Sequence, residues 1–168
     1  MQRTSNIDLV PFDTEKHLPT LRRWLNQPHV RRWWGDPKIN IEEAMQRPKG
    51  GGHVLISIDG TPAGYLCWQP YRKQDLKVVG LTDLEDGSID VDIMIGEIAH
   101  VGHGVGPRAL ELLLARLGGD LSVPLVGVCT SVENARAIRA FEKVGFSRLR
   151  EYDDDEWGRC CFMVVRPR

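Results

Sequence analysis

Residues 101–107, with the sequence VGHGVGP, constrain this chain more than any other segment, because glycine occupies every second position from 102 to 106. They lie between a predicted strand at residues 88–95 and a predicted helix at residues 107–117. Glycines leave backbone N–H groups unobstructed, and the N-terminus of the following helix carries partial positive charge. The segment therefore predicts a binding site for a phosphate or pyrophosphate group, although a strand-to-helix turn of this kind can also be purely structural.

Two familiar phosphate-binding patterns are absent from this loop. A dinucleotide-binding loop has the pattern Gly-x-Gly-x-x-Gly, and counting from Gly102 its third glycine falls on Pro107. A P-loop has Lys and then Ser or Thr after its glycines, where this chain has Pro107 and Arg108. The loop by itself therefore leaves the ligand open.

Composition limits the class of protein. At 168 residues the chain is long enough to bury a core, and we predict a single domain over residues 1–168. Lys and Arg number 22 and Asp and Glu 23, so charge gives no reason to expect nucleic acid or a membrane as partner. The four cysteines form no CxxC pair, and no apolar run has the length of a signal or transmembrane segment. We expect a reduced, cytoplasmic protein without a metal site.

Hydrophobic periodicity and turn residues predict a mixed α/β chain without linkers or repeats. The predicted elements are, in order, strand 7–10, helix 14–26, short helices 29–34 and 41–47, strands 54–58 and 63–69, strand 88–95, helix 107–117, strand 125–129, helix 134–144, and strands 146–152 and 160–165.

A second motif gives the glycine loop a specific interpretation. Residues 134–146, NARAIRAFEKVGF, match the pattern Asn-x-x-Ala…Tyr/Phe-x-x-x-Gly-Phe. Together with Gly104 and Gly106 upstream, this motif closely resembles the GCN5-related N-acetyltransferase (GNAT) family, whose acetyl-CoA loop reads Gln/Arg-x-x-Gly-x-Gly/Ala. The basic first position of that loop is Val101 here, a departure that backbone binding tolerates.

Three further parts of the sequence resemble one subgroup of this family. Residues 24–35 (WLNQPHVRRWWG), residues 59–65 (DGTPAGY) and Asp92 look like the aminoglycoside 6′-N-acetyltransferases. Siderophore acyltransferases of the hydroxylysine type share much of the N-terminal pattern, so the resemblance does not settle the acceptor.

The family resemblance implies an α/β fold with a mixed central sheet of six to seven strands, flanked by helices and splayed at the acetyl-CoA site. Pantetheine would enter the gap as a pseudo-strand, and loop amides would hold the pyrophosphate. His103 in that loop is equally compatible with a solvated side chain. The implied cofactor-binding residues are Met94, Ile95, Gly96, Gly102, His103, Gly104, Gly106 and Asn134.

Asp92 is the candidate catalytic residue. An alkylamine with a pKa of about 10 is mostly protonated at neutral pH and must lose a proton before it attacks a thioester. The resemblance implies that Asp92 orients the ammonium and accepts that proton. The alternative is that Asp92 simply faces solvent together with Asp90, and Glu97 is a second candidate base. Phe141 occupies the position of the tyrosine that often protonates the leaving thiolate, so the general acid is unassigned.

The acceptor site is expected to contain an indole face and hydrogen-bonding groups. The resemblance places Trp34, Gln69 and Tyr71 along the acceptor cleft, and Trp33 is better explained as a core residue. Glu156, in the turn of the terminal hairpin, is the expected acceptor-binding acid.

Acidic residues are concentrated at 83–92 and at 153–156. These groups are either two solvated loops or a cation-accepting mouth. Cys129 stands where the aminoglycoside enzymes commonly have an acid, and Glu133 is either its substitute or a first-turn helix residue.

We therefore predict an acetyl-CoA-dependent N-acetyltransferase acting by direct transfer in a ternary complex, with the 6′-amine of a cationic aminosugar as acceptor. No cysteine lies in a motif that argues for a covalent acyl-enzyme. The alternatives are another amine, from a siderophore precursor, a polyamine or a protein N-terminus, and a non-catalytic CoA-binding module. The oligomeric state is open.

Overall fold

A computed structural model describes residues 4–120 and 122–167; residues 1–3, 121 and 168 of the predicted domain lie outside it. Within the described residues, seven strands form one mixed sheet in the order β1-β2-β3-β4-β5-β7-β6. The strands are β1 (Ile7–Pro11), β2 (Gly52–Ile58), β3 (Thr61–Pro70), β4 (Ile89–Ile95), β5 (Val126–Ser131), β6 (Ser147–Asp154) and β7 (Gly158–Val165). The helices are α1 (Thr14–Leu25), α2 (Pro28–Trp34), α3 (Pro37–Met45), α4 (Lys73–Val78), α5 (Val105–Gly118) and α6 (Ala135–Val144), with a 3₁₀ turn at Ile98–His100.

The pairing of β4 with β5 divides the sheet. Neighbouring strands pair antiparallel everywhere else, but β4 and β5 run parallel and pair only as Ile89 with Val126 and Asp90 with Gly127. Beyond Asp90 the two strands part, and the rest of β4 borders a gap. The expected mixed sheet of six to seven strands, flanked by helices, is confirmed.

The two faces of the sheet carry different cores. Helices α5 and α6 cover one face, where Val91 is buried among apolar side chains of β5 and α5. Helices α1, α2 and α3 cover the other, where Trp24 and Met94 are buried. Because side chains alternate along a strand, Asp90 and Asp92 share the face of Met94. Both aspartates therefore point toward α3 rather than into the α5 core.

Local sequence explains most helix starts. Pro28 and Pro37 occupy the first turns of α2 and α3, where the missing N–H has no partner to lose. The Asp36 carboxylate accepts a hydrogen bond from Lys38 N–H and caps α3. Helix α5 begins at Val105, two residues earlier than predicted, because Pro107 fits within a first turn.

Helix α4 was not predicted. It is short and polar, and Leu76 anchors it by packing with Leu81 and Phe162 beneath it. One apolar anchor in six residues leaves no helical period to detect. None of the helices in residues 4–120 and 122–167 is long and apolar enough to cross a membrane.

Candidate active site

A cleft opens where β4 and β5 separate. This main cleft has a volume of about 340 Å³, and a side cavity of about 400 Å³ adjoins it toward α4. The two spaces share lining residues from α3, β3, β5 and β6, so they form one continuous site. The shared residues are Glu43, Arg47, Gln69, Cys129 and Tyr152.

Asp92 lies in the wall of the main cleft and is partly buried. Among the described residues, no side chain donates a hydrogen bond to its carboxylate. Burial raises the pKa of Asp92 to about 8, the charges of Asp90 and Glu43 add to the rise, and the Arg47 guanidinium opposes it. Asp92 is thus an open carboxyl whose protonation changes near physiological pH, as a general base requires.

Asp90 lies two residues earlier on the same face, and its environment differs. Its carboxylate accepts hydrogen bonds from Gln69 Nε2 at 3.2 Å and from the Tyr71 hydroxyl at 3.1 Å. Arg47 Nη2 donates to Gln69 Oε1 at 3.0 Å, which orients the amide so that its NH₂ group faces Asp90. Gln69 and Tyr71 were predicted to line the acceptor cleft, and the side chains of both donate these hydrogen bonds to Asp90.

The glycine loop has the geometry of an anion site. Gly102 and Gly104 both have φ of +79°, a conformation that favours glycine, and Gly104 caps α5 without a side-chain hydrogen bond. A Cβ at Gly104 or Gly106 would meet no atom within 4 Å, so the space in front of the first turn of α5 is open. His103 is exposed beside it. These unobstructed N–H groups at a helix N-terminus fit a pyrophosphate.

A cation stands next to this loop. Arg136 Nη1 lies 3.9 Å from the position that a Cβ on Gly102 would occupy. Arg136 belongs to the first turn of α6, and the sequence analysis did not single it out. It supplies positive charge near the loop, whose usual basic first position is Val101 here.

The backbone of β4 reveals which residues face the gap. The N–H of Ile89 donates toward β5, whereas that of Gly96 donates toward β3. Since backbone groups alternate in direction along a strand, Ile93 and Ile95 face the gap and Met94 faces β3. Of the three residues predicted to hold pantetheine, Ile95 has the backbone orientation that fits, and Ile93 joins it.

Two further candidate residues have structural contacts of their own. Asn134 caps α6 by accepting from Ala137 N–H at 3.3 Å, and it also lines the main cleft. Glu97 accepts hydrogen bonds from Arg23 at 2.6 Å and Trp24 Nε1 at 2.8 Å, and the bond from Arg23 lowers its pKa. Glu97 is outside the main cleft, whereas Asp92 lines it.

The cysteines in the cleft are protonated. Cys129 Sγ lies 2.8 Å from the Tyr152 hydroxyl, and burial raises the pKa of Cys129 to about 12. Burial also raises the pKa values of Cys67 and Cys160. A neutral thiol is a poor nucleophile, which favours direct transfer over an acyl-enzyme. Phe141 is buried in the wall nearby and has no hydroxyl to offer.

The aromatic wall differs from the prediction. Trp34 lines the main cleft as expected. The core assignment of Trp33 is wrong: its ring also lines the cleft, and Arg32 stacks on it 4.5 Å from the ring centroid. From the terminal hairpin turn, Trp157 reaches the cleft, whereas Glu156 is exposed and does not line it.

Glu43 and Arg47 were missed by the sequence analysis. They stand four residues apart, Glu43 on α3 and Arg47 just beyond it, and this spacing is the signal that could have paired them on one side. Nothing local in the sequence shows that this side lies over β4. Within the described residues, no group of His, Cys, Asp and Glu side chains could hold a metal ion.

Together, the splayed parallel pair, the open glycine turn and the unpartnered carboxyl in the gap define an acyltransferase site. The model of the acetyltransferase (GNAT) domain family matches residues 13–154, and the chain belongs to this family. It is therefore an acetyltransferase with acetyl-CoA as its acyl donor, and the gap, the α5 N-terminus and Arg136 fit that donor.

Relatives and solved structures agree with this assignment. The chain is 26% identical over 150 residues to aminoglycoside N(6′)-acetyltransferase type 1 of Klebsiella pneumoniae, covering 80% of this chain and 71% of that protein. An N-acetyltransferase 9-like protein of Caenorhabditis briggsae is 25% identical over 150 residues, covering 84% and 74%. The fold matches an aminoglycoside acetyltransferase solved with coenzyme A and kanamycin, with a TM-score of 0.77 at 23% identity, covering 96% of this chain and 95% of that chain.

Proposed function

We propose that this acetyltransferase transfers the acetyl group to the 6′-amine of an aminoglycoside antibiotic, with Asp92 as the general base. The observation that carries the proposal is the position of Asp92: an unpartnered carboxyl in the wall of the cleft, where the two parallel strands part. The relative from Klebsiella pneumoniae is an aminoglycoside N(6′)-acetyltransferase, and the structural neighbour binds kanamycin.

Charge in the cleft favours a cationic acceptor. Two carboxylates, those of Glu43 and Asp90, act on the site of Asp92, and Arg47 opposes them with one positive charge. The net negative potential attracts an amine in its protonated form. The indole rings of Trp33 and Trp34 offer faces for a sugar ring.

The chemistry needs few groups. Asp92 takes the proton from the bound ammonium, and the neutral amine nitrogen then bonds to the acetyl carbon as the carbon–sulfur bond breaks. A thiol with a pKa of about 8.5 is a tolerable leaving group as its anion, so the missing tyrosine hydroxyl at Phe141 does not prevent transfer. The nitrogen loses a second proton as the amide forms, and the thiolate takes up this proton, directly or through solvent. The proton held by Asp92 then returns to solvent, which restores the base.

The test is thiol release from acetyl-CoA with kanamycin, diamines and hydroxylysine as acceptors. We expect turnover of kanamycin and a fall of about 10²-fold or more in kcat/KM in Asp92→Asn. Asp8→Asn, an exposed strand aspartate on β1, is the matched control and should retain activity. Turnover of only the non-sugar amines would contradict the aminoglycoside acceptor, and acetyl-CoA binding without thiol release from any amine would favour a CoA-binding module.

A further inference from the structure

Asp90 and Asp92 form a pair of unequal carboxyls. They lie on the same face of β4, two residues apart, a separation of about 6.6 Å between Cα atoms. Asp90 accepts two side-chain hydrogen bonds, and Asp92 accepts none among the described residues. Burial raises the pKa of Asp90 as well, but the hydrogen bonds from Gln69 and Tyr71 and the charge of Arg47 oppose that rise. Two carboxyls this close repel when both are ionised, so we expect the one with hydrogen-bond donors to ionise first.

The residues around Asp90 are closely packed. The Tyr71 hydroxyl reaches Asp90 by lying directly over Gly127, where any Cβ would overlap it. The Phe162 ring stands 2.9 Å from the same point, so the space above Gly127 is closely packed. On the opposite side, Arg47 holds the Gln69 amide in the orientation that donates to Asp90. Two side chains, those of Gln69 and Tyr71, thus donate to one carboxylate, and Arg47 orients one of them.

We propose that Asp90 is a positioning residue whose fixed, ionised carboxylate makes Asp92 a stronger base toward the acceptor ammonium. This inference rests on the proposed role of Asp92 and extends it. The second proton leaves the pair less easily than the proton of an isolated aspartate, so Asp92 ionises only at a higher pH, and its ionised form binds an incoming proton more strongly. A base whose proton affinity is close to that of the amine accepts the proton without a large uphill step.

Other charged and titratable groups face Asp92, and they do not replace Asp90 in this role. Glu43 is exposed, so water screens its charge, and Arg47 acts in the opposite direction. The remaining groups are neutral near pH 7 because burial raises their pKa values. These neutral groups are Tyr65 and Cys67 from β3, Cys129 from β5 and Tyr152 from β6.

The test is a direct titration of both carboxyls by ¹³C NMR in the free protein, with the side-chain signals assigned by through-bond correlation to the backbone resonances of Asp90 and Asp92. In the unsubstituted protein, Asp90 should ionise at lower pH than Asp92. In Asp90→Asn, which keeps the shape and an acceptor oxygen, the titration of Asp92 should move down by about one to two pH units. Asp75→Asn, a side-cavity carboxylate paired with Arg72, is the control and should leave it in place.

The result that would overturn the inference is an Asp92 that ionises before Asp90 in the unsubstituted protein, a test that needs no stable variant. The inference would also be overturned if Asp90→Asn folded and the titration midpoint of Asp92 in it were unchanged. Because the titration needs no acceptor, it stands even if kanamycin is not a substrate. Where kanamycin is turned over, the pH at which kcat/KM falls on the acid side should be lower in Asp90→Asn, by the same amount as the NMR titration midpoint of Asp92. If Asp90 had only a structural role, Asp90→Asn would lower kcat/KM at every pH.

Discussion

Arg136 and Gly102 meet at the entrance to the glycine loop, with Arg136 Nη1 3.9 Å from where a Cβ on Gly102 would stand. The two residues come from different motifs, one in the loop before α5 and the other in the first turn of α6. Their proximity brings both motifs together and puts a cation near the open N–H groups of α5. The structure thereby places a positive charge at a loop whose first residue, Val101, has none.

Arg136→Gln should weaken CoA binding by about 3- to 10-fold, the loss of one exposed charge contact to a phosphate group. Isothermal titration calorimetry measures the change, and added salt should narrow the difference. Arg139→Gln, one helical turn further along α6 and also exposed, is the matched control. Pantetheine has no phosphate, so Arg136→Gln and Arg139→Gln should bind it with the same affinity. If Arg136→Gln lost as much affinity for pantetheine as for CoA, Arg136 would act on the fold and not on a phosphate.

Asp92→Asn should stabilise the protein at neutral and alkaline pH. Burial raises the folded-state pKa of Asp92 to about 8, well above the unfolded value, so the ionised form disfavours the fold. The penalty is absent below about pH 4 and grows as pH rises toward 8. Allowing for its partial exposure, we expect a gain of about 1–2 kcal/mol in the free energy of unfolding at pH 8.

Urea unfolding of the two proteins at pH 8 and pH 4 checks this expectation. The difference between them should shrink to a few tenths of a kcal/mol at pH 4, where Asp92 is protonated in the folded state and about half protonated in the unfolded state. A stability gain that is the same at both pH values would instead indicate a packing effect of the amide.

Gly127→Ala should destabilise the protein by about 1–3 kcal/mol, the usual result of overpacking. The added methyl group would overlap the Tyr71 hydroxyl and stand 2.9 Å from the Phe162 ring. Gly119→Ala is the control, because its methyl group would meet only the Arg116 carbonyl at 3.5 Å and its φ of −75° suits alanine. Chemical denaturation of both variants decides the point, and equal midpoints would contradict the close packing at Gly127.

Glu43→Gln should raise the KM for kanamycin by about 2- to 5-fold and leave kcat nearly unchanged, because an exposed carboxylate contributes a screened attraction to a polycation. Glu42→Gln is the neighbouring control, since Glu42 is exposed on α3 and lines neither cavity. The effect should fall as ionic strength rises. An equal change in both variants would indicate general surface charge rather than a contact in the cleft.

Local patterns were sufficient for much of this fold. The alternating glycines, the motif at residues 134–146 and the hairpin turn at Asp59 and Gly60 each specify a short segment through its own backbone preferences. Helix α4 was not predicted from the sequence, because this polar helix has one apolar anchor, Leu76. It is stabilised by the contact of that side chain with Phe162 and not by a helical pattern of apolar residues.

The sequence by itself predicted the family, the glycine turn at the start of α5 and the position of Asp92 on a central strand, because motifs and strand alternation are properties of neighbouring residues. Only the tertiary structure decided which side chains interact with one another in the site. Tyr71 and Gln69 donate to Asp90, Arg47 orients Gln69, and Arg136 reaches the glycine loop. Each of these contacts depends on how distant elements pack, since a side chain's partner is set by the distances and directions that packing imposes.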